Sequence, residues 1–234
     1  MIGGASWSST AMYYEQINRA VGARLGGLHS ARLAIESLDF ESDYAAYHRS
    51  GDWAGADRVI ADAAERLKGA GAEGLLLASN TMHKNADAAE QASGLPLIDI
   101  REATANRLQA DGRTRIALLG TRFTMTEAWA REPYEKRGIV FCELHPDWRK
   151  EVDRIIYEEL AAGRVVRDSQ RKLKTLITEL QKQKVQAVVL GCTELVLAVD
   201  VRANVLPVYD TTAIHARAAA EWMLADEEQA RAAA

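Results

Sequence analysis

Short apolar runs rich in Val, Ile and Leu alternate along the chain with longer stretches in which apolar residues return at helical spacing. That alternation predicts strands joined by crossover helices, the pattern of βαβ units in a parallel sheet. Strands are expected at 32–38, 74–78, 96–100, 115–120, 138–144, 186–191 and 205–210. Helices are expected near 9–24, 54–70, 82–92, 101–111, 124–137, 147–162, 166–184 and 211–230. The beginning departs from this rhythm. MIGGASWSST (1–10) offers a Gly-Gly turn and a helix for Ser8 or Ser9 to cap, with almost no strand ahead of it. The expectation there is either a stub strand or a start codon assigned several residues late. At the other end, the alanine-rich tail after Asp226 is expected to fray.

The two halves of the chain follow one plan. LLLASNTMHK (75–84) runs an apolar strand into a polar corner and then a helix, and AVVLGCTELV (187–196) repeats it with Cys192 where the first copy has Ser79. The fold expected is α/β: two pseudo-symmetric parallel-sheet lobes, residues 1–100 plus 210–234 and residues 101–209, with the site in the cleft between them. Both corners lie at the carboxyl ends of their strands, where open α/β sheets bind ligands. Internal similarity also arises in α/β proteins without any shared site, and that alternative stays open at this point.

Composition narrows the function classes. A 48% hydrophobic chain with mean hydropathy −0.21 has material for a sizeable core. The net charge of −4 comes from charges mixed along the chain, which argues against a nucleic-acid stripe or a polybasic membrane anchor. No apolar run approaches the roughly 20 residues of a bilayer span, and no basic-then-apolar leader is present, so a cytoplasmic protein with no membrane partner is expected. Two cysteines make no disulfide framework and no metal pair. Cys142, within IVFCEL (139–144), reads as a buried strand residue.

Candidate chemistry gathers at strand-to-helix corners. A helix that starts directly after a strand presents unpaired N–H groups and the positive end of its dipole, which attract carboxylates and favour a thiolate. Cys192, followed by Thr193 and Glu194, is therefore expected to ionise readily, with a plain packing cysteine as the other reading. Ser79, Asn80 and Thr81 offer two hydroxyls and an amide, suited to a carboxylate and an ammonium, or simply to capping. GTRFTM (120–125) places Thr121 and Thr124 at a third corner, and DTTAIH (210–215) places Asp210 as the cap of the last helix. His83 and His215 read as structural histidines or as supports behind the site. No Ser-His-Asp order or phosphate-loop spacing is present, and MIGG is too short for a dinucleotide fingerprint.

Taken in order, IGGASWSST (2–10), GGLHSARL (26–33), SNTMHK (79–84), GTRFTM (120–125), GCTE (191–194) and LPVYDTTAIHA (206–216) resemble the aspartate/glutamate racemase family, the cofactor-independent amino-acid racemases. The resemblance implies two similar α/β lobes, no cofactor, no metal, and chemistry carried by two cysteines in C-N-T and G-C-T contexts. Cys192 matches the second cysteine, and Ser79 falls on the first. Asn80, Thr81, Thr121, Thr124 and Thr193 match substrate-holding positions. Glu194 and Ser6, inside the same stretches, join the expected substrate-binding set, with His83 and Asp210 behind it.

Inverting a stereocentre through a planar carbanion requires one group to take the α-proton from one face and another to deliver a proton to the opposite face. Without a cofactor to spread the charge, hydrogen bonds and helix N-termini must stabilise the carbanion. A serine is a weaker acid than a thiol and a poorer base near neutral pH, so the two directions are expected to be unequal. The resemblance points to the L-selective aspartate/glutamate branch, which has a hydroxyl residue in the first position. Cys192 is then expected to deprotonate the L-amino acid, and Ser79 to return a proton directly or through a water. A designed replacement of cysteine that traps substrate is the other reading of Ser79. Arg49, Arg122 and Arg164 are candidates for the side-chain carboxylate, so aspartate against glutamate stays open. Two alternatives stand beside the racemase: a single-cysteine decarboxylase of a malonate-type acid, and a catalytically silent binder of acidic amino acids. The family resemblance also implies a homodimer, to which Tyr13, Tyr14 and Ile17 of the helix near 9–24 could contribute, the same residues reading equally as plain core.

Overall fold

The computed structural model describes residues 1–232, apart from the side chains of His48 and of residues 226 onward. The chain divides into two compact units, Met1–Asp99 with the chain from His215 onward, and Ile100–Ile214.

The first unit contains β1 (Ile2–Gly3), α1 (Trp7–Leu25), β2 (Glu36–Ser37), α2 (Ala45–Ser50), α3 (Trp53–Gly69), β3 (Leu75–Leu76), α4 (Ala86–Ser93) and β4 (Leu97–Ile98). β2 pairs β1 and β3 pairs β4, all parallel, and an Ile2–Leu77 bridge joins β1 to β3. The strand expected near the start is thus a two-residue stub. Side chains of the Leu75–Ala78 run alternate between two cores. Leu75 and Leu77 pack with Ile60, Ala63 and Ala89 of α3 and α4. Leu76 and Ala78 pack with Tyr13, Ile17 and Val21 of α1 and with Ala216, Ala219 and Ala220. A parallel strand covered on both faces must be apolar on both, which is why this run reads continuously hydrophobic.

Three expectations for this unit are corrected. Ser6, rather than Ser8 or Ser9, caps α1, its side chain accepting from the Ser9 backbone N–H. Just ahead of that cap Gly4, at φ +91°, turns the chain where a Cβ would lie 2.0 Å from the Leu38 carbonyl oxygen. Tyr13 and Ile17 are fully buried core residues, leaving Tyr14 as the exposed one of the three proposed for an interface. Residues 40–50 carry a π-helical turn, Phe40–Tyr44, running into α2, where no helix was expected. Charged and polar residues interrupt that stretch and hide its helical period; Tyr44, buried in the α3 and α4 core, and Phe40 and Tyr47, packed against it, anchor the segment.

The second unit contains α5 (Ile100–Ala110), β5 (Arg115–Gly120), α6 (Arg122–Thr126), α7 (Ala128–Glu135), β6 (Val140–Phe141), α8 (Pro146–Arg154), α9 (Arg167–Lys182), β7 (Ala187–Gly191) and β8 (Val208–Asp210). The last helix, α10, spans Thr211–Ala232 and carries the chain back into the first unit, so helical backbone extends into the tail expected to fray; residues 233–234 of that tail lie outside the described residues. The sheet is parallel throughout, in the order β6-β5-β7-β8. Ala117, Leu119, Val188 and Leu190 face one core, with Val152, Leu176 and Ile177. Ile116, Leu118, Ala187 and Val189 face the other, with Ala105, Leu108 and Tyr134.

The helix expected over 124–137 is two helices broken at Glu127, whose extended backbone (ψ 143°) ends α6 and starts α7. The helix expected over 147–162 begins with Pro146 in its first turn and ends in a π-helical turn, Ile155–Leu160. Among the described residues, no helix is long and apolar enough to cross a membrane.

Candidate active site

In the second unit, β5 and β7 end at the same level. Their register closes on Gly120 opposite Gly191, so the corners that follow emerge side by side. The approach requires both glycines: a Cβ on Gly120 would lie 2.8 Å from the Gly191 carbonyl oxygen, and one on Gly191 would lie 2.8 Å from Leu118 Cδ1 and 3.0 Å from Thr124 Cγ2. Thr121 caps α6, and the Thr121 and Thr124 hydroxyls, both buried, are 3.2 Å apart. β8 adds a third strand end beside β7, with Leu190 opposite Asp210. There Thr211 donates from Oγ1 to the Leu190 carbonyl at 2.7 Å. Asp210 Oδ1 accepts from the Thr212 and Ala213 backbone N–H groups at 2.9 and 3.2 Å, capping α10 as expected. Burial nonetheless raises its carboxyl above the ordinary value, against those two hydrogen bonds.

Cys192 follows β7 in extended backbone and leads into a five-residue 3-10 turn, Thr193–Leu197. The residue is 8% exposed. Cys192 Sγ donates to Glu194 Oε2 at 3.0 Å, and Thr193 Oγ1 donates to the same oxygen at 2.7 Å. These contacts overturn the expectation of an easily ionised thiol. Burial pushes the Cys192 thiol well above its ordinary value, and the Glu194 carboxylate adds to this by its charge and by accepting the S–H, with Asp153 contributing a further negative charge. A single 3-10 turn has too few aligned peptides to build the dipole of a long helix, and the carboxylate two residues on opposes what little there is. The resting sulfur is a thiol.

The first-unit corner has the same outline with a shifted phase. Its 3-10 turn, Thr81–Asn85, starts two residues after Ser79, whereas the matching turn starts one residue after Cys192. Ser79 is half-buried and Asn80 is buried. Behind them lies a chain of aromatic and imidazole groups. His83 Nδ1 donates to the Ser79 carbonyl at 2.7 Å, which sets its tautomer because a carbonyl only accepts. His83 meets His215 edge-on, with ring centroids 5.5 Å apart. His215 is fully buried, and burial, helped by His83, pulls its pKa down to about 3. It is therefore neutral, with Nε2–H donating to the Ile98 carbonyl at 2.6 Å and Nδ1 accepting from the Tyr13 hydroxyl at 2.9 Å. Ser6 sits on the α1 cap, its Oγ 2.8 Å from that of Ser8.

The three candidate arginines lie far apart along the chain, on α2, on α6 and in the segment before α9. Arg49 makes a two-pronged exposed pair with Glu41, at 2.8 and 3.1 Å. Arg122 lies over the Phe123 ring, 4.5 Å from its centroid, and Arg164 donates to the Glu158 carbonyl at 2.5 Å. Two groups escaped sequence reasoning. Asp153, half-buried on α8, accepts from the Arg122 backbone N–H at 2.7 Å and acts on the Cys192 thiol from 39 positions away, a relation no local motif encodes. Thr212 Oγ1 is buried with no hydrogen-bond partner among the described residues, in a run whose Asp-Thr-Thr spelling marked only the cap.

Among the described residues no group of three or more His, Cys, Asp and Glu side chains is placed to hold a metal ion. An open groove of about 540 Å³ in the second unit, lined by His145, Trp148, Glu151, Lys172, Leu176 and Glu179 among others, includes none of the corner residues.

A candidate Asp/Glu racemase from Yersinia pestis superposes with a TM-score of 0.89 at 45% identity, over 95% of this chain and 97% of that one. An aspartate racemase homologue from Pyrococcus horikoshii gives 0.79 at 27% identity, again over 95% and 97%. Picrophilus torridus aspartate racemase, at 18% identity, shares the fold with a TM-score of 0.71, over 97% of this chain and 92% of that one. The family profile described as Asp/Glu/hydantoin racemase matches residues 2–219. With nearly the whole chain matched, and with a Ser-Asn-Thr corner in one unit and a Gly-Cys-Thr corner in the other, each following a parallel strand, the protein belongs to the Asp/Glu/hydantoin racemase family and is an isomerase of the racemase type.

Proposed function

We propose that the protein racemises an acidic amino acid, aspartate or glutamate or both, by cofactor-independent two-base proton transfer at the α-carbon. Cys192 takes the proton from the L-enantiomer, and Ser79 holds the opposite acid/base position. The observation that carries this reading is the second-unit corner, where Cys192 and Thr193 stand beside Thr121 and Thr124 at the ends of adjacent strands in a chain of the racemase family. Hydroxyls and turn N–H groups at that level suit an α-carboxylate and the negative charge that develops on it. The names of the Yersinia and Pyrococcus relatives, which mention aspartate or glutamate, support an acidic substrate. Asn80 and Thr81 serve the same substrate, and the protein acts as a homodimer in the cytoplasm.

In deuterium oxide, L-Asp or L-Glu is expected to gain deuterium at the α-carbon, and Cys192→Ala is expected to abolish that gain. Exchange with neither substrate above the enzyme-free rate would end the proposal. Ser79→Cys tests the second position: D-to-L turnover should rise, and no rise would remove Ser79 from the chemistry. The protonated, buried Cys192 thiol favours one second reading, a binder of acidic amino acids without turnover. That reading expects saturable affinity for L-Asp or L-Glu with no isotope exchange.

A further inference from the structure

The two corners hold Cys192 and Ser79 in different ways. In the second unit the Cys192 carbonyl accepts from the backbone of its own turn, the Leu195 N–H, at 3.2 Å. In the first unit the turn starts one residue later, so the equivalent backbone bond, from the His83 N–H at 3.1 Å, reaches Asn80 instead. The Ser79 carbonyl is left to a side chain, and His83 Nδ1 donates to it at 2.7 Å. Four residues after Cys192, at the position matching His83, stands Val196, which has no polar group to give. An imidazole thus occurs in the copy whose shifted turn lacks the backbone donor. We propose that His83 is a positioning residue of the racemisation, its imidazole fixing the Ser79–Asn80 peptide and so aiming the Ser79 hydroxyl at the α-carbon.

The chain entering Ser79 is already tied down, because the Ala78 N–H donates to the Ile2 carbonyl at 2.8 Å. Holding the carbonyl beyond it restrains the Ser79 backbone on both sides and sets the direction of its Cα–Cβ bond. The imidazole is itself braced. His83 is 1% exposed, and the fully buried His215 meets it edge-on with ring centroids 5.5 Å apart. His215 is fixed in turn by the Tyr13 hydroxyl at 2.9 Å and the Ile98 carbonyl at 2.6 Å. Three elements, α1, β4 and α10, therefore stand behind the ring that holds Ser79. A leucine at position 83 would fill the same space without the free-energy cost of burying a polar ring, and it would leave the carbonyl without a donor.

The inference rests on the racemase reading and on Ser79 holding the second acid/base position. The carbanion that Cys192 creates then has two fates. Reprotonation from the Cys192 side, once the sulfur has exchanged its proton with solvent, returns the L-enantiomer with a new α-hydrogen. Protonation from the Ser79 side gives the D-enantiomer. A misaimed Ser79 slows the second fate and spares the first, so exchange without inversion rises. A loss of folded protein lowers both in proportion and leaves their ratio unchanged, which separates a positioning role from a merely structural one. The test therefore measures, with L-Asp and L-Glu in deuterium oxide, the early ratio of α-deuterated L-enantiomer to D-enantiomer. His83→Leu, which keeps bulk and removes the donor, should raise that ratio more than about fivefold. His83→Asn, whose amide N–H reaches the place of Nδ1, should raise it less than His83→Leu does.

A smaller rise in His83→Leu, or an equal or larger rise in His83→Asn, overturns the role of His83 and leaves the racemase reading standing. Should His83→Leu fail to fold, His83→Asn is compared with His83→Gln, whose donor reaches the place of Nε2 instead. A higher ratio in His83→Gln supports the role, and an equal or lower one overturns it. Exchange without inversion in the parent removes Ser79 from the chemistry and this role with it. Absence of both in the parent overturns the racemase reading as well.

Discussion

His215 makes stability depend on pH in a way that can be worked from its contacts. The ring is fully buried, and its pKa falls from an ordinary 6.5 to about 3. As pH drops below 6.5, the unfolded chain gains a proton on this imidazole and the folded chain does not. Stability attributable to His215 is therefore fully present above 6.5 and is lost as pH falls towards 3. Each pH step inside that window removes about 1.4 kcal/mol, and the whole window about 5 kcal/mol. Between 6.5 and 5 the loss is about 2 kcal/mol. The perturbation is the double variant Tyr13→Phe/His215→Gln: glutamine keeps an N–H for the Ile98 carbonyl, and phenylalanine removes the hydroxyl that the ring accepts. Urea unfolding of both proteins at about pH 7.5 and about pH 5 yields the two losses, and carboxylates elsewhere contribute equally to each. The double variant should lose about 2 kcal/mol less than the wild type across that interval, whatever its stability at the upper pH. Parallel losses would refute the claim that His215 is held neutral in the fold.

Two further substitutions test the corners. Gly120→Ala places a methyl 2.8 Å from the Gly191 carbonyl oxygen, backbone that cannot step aside, whereas Gly191→Ala meets Leu118 Cδ1, a side-chain tip, at the same distance. Both should destabilise, by about 1–3 kcal/mol, with Gly120→Ala the worse; thermal or urea unfolding that ranks them the other way counts against the backbone contact. Thr10→Val keeps the shape of the side chain that packs on Gly3 but deprives the buried Gly4 N–H of its 2.9 Å acceptor. A loss of about 1–3 kcal/mol in urea unfolding is expected, and a neutral result would mean that Gly4 finds another partner.

The sequence by itself determined the α/β class, the long central strands β5 and β7, and the corners that follow them. Strands buried on both faces must be apolar at every position, and the ends of such strands must turn through small and polar residues, so the pattern is written locally. Six ordered motifs likewise carried the family. Sequence could not reach what depends on neighbours distant along the chain or on backbone geometry. Ser6, just after the turn that Gly4 makes against Leu38, caps α1 in place of Ser8 or Ser9, and Tyr13 and Ile17 enter the core because α1 lies across Leu76 and Ala78. The protonation state of Cys192 is the clearest case. Gly-Cys-Thr-Glu before a helical turn reads as an activated thiol, yet burial and a carboxylate folded back to 3.0 Å hold the proton on sulfur. A pKa is set by solvent exclusion and by charges through space, and only the tertiary structure decides both.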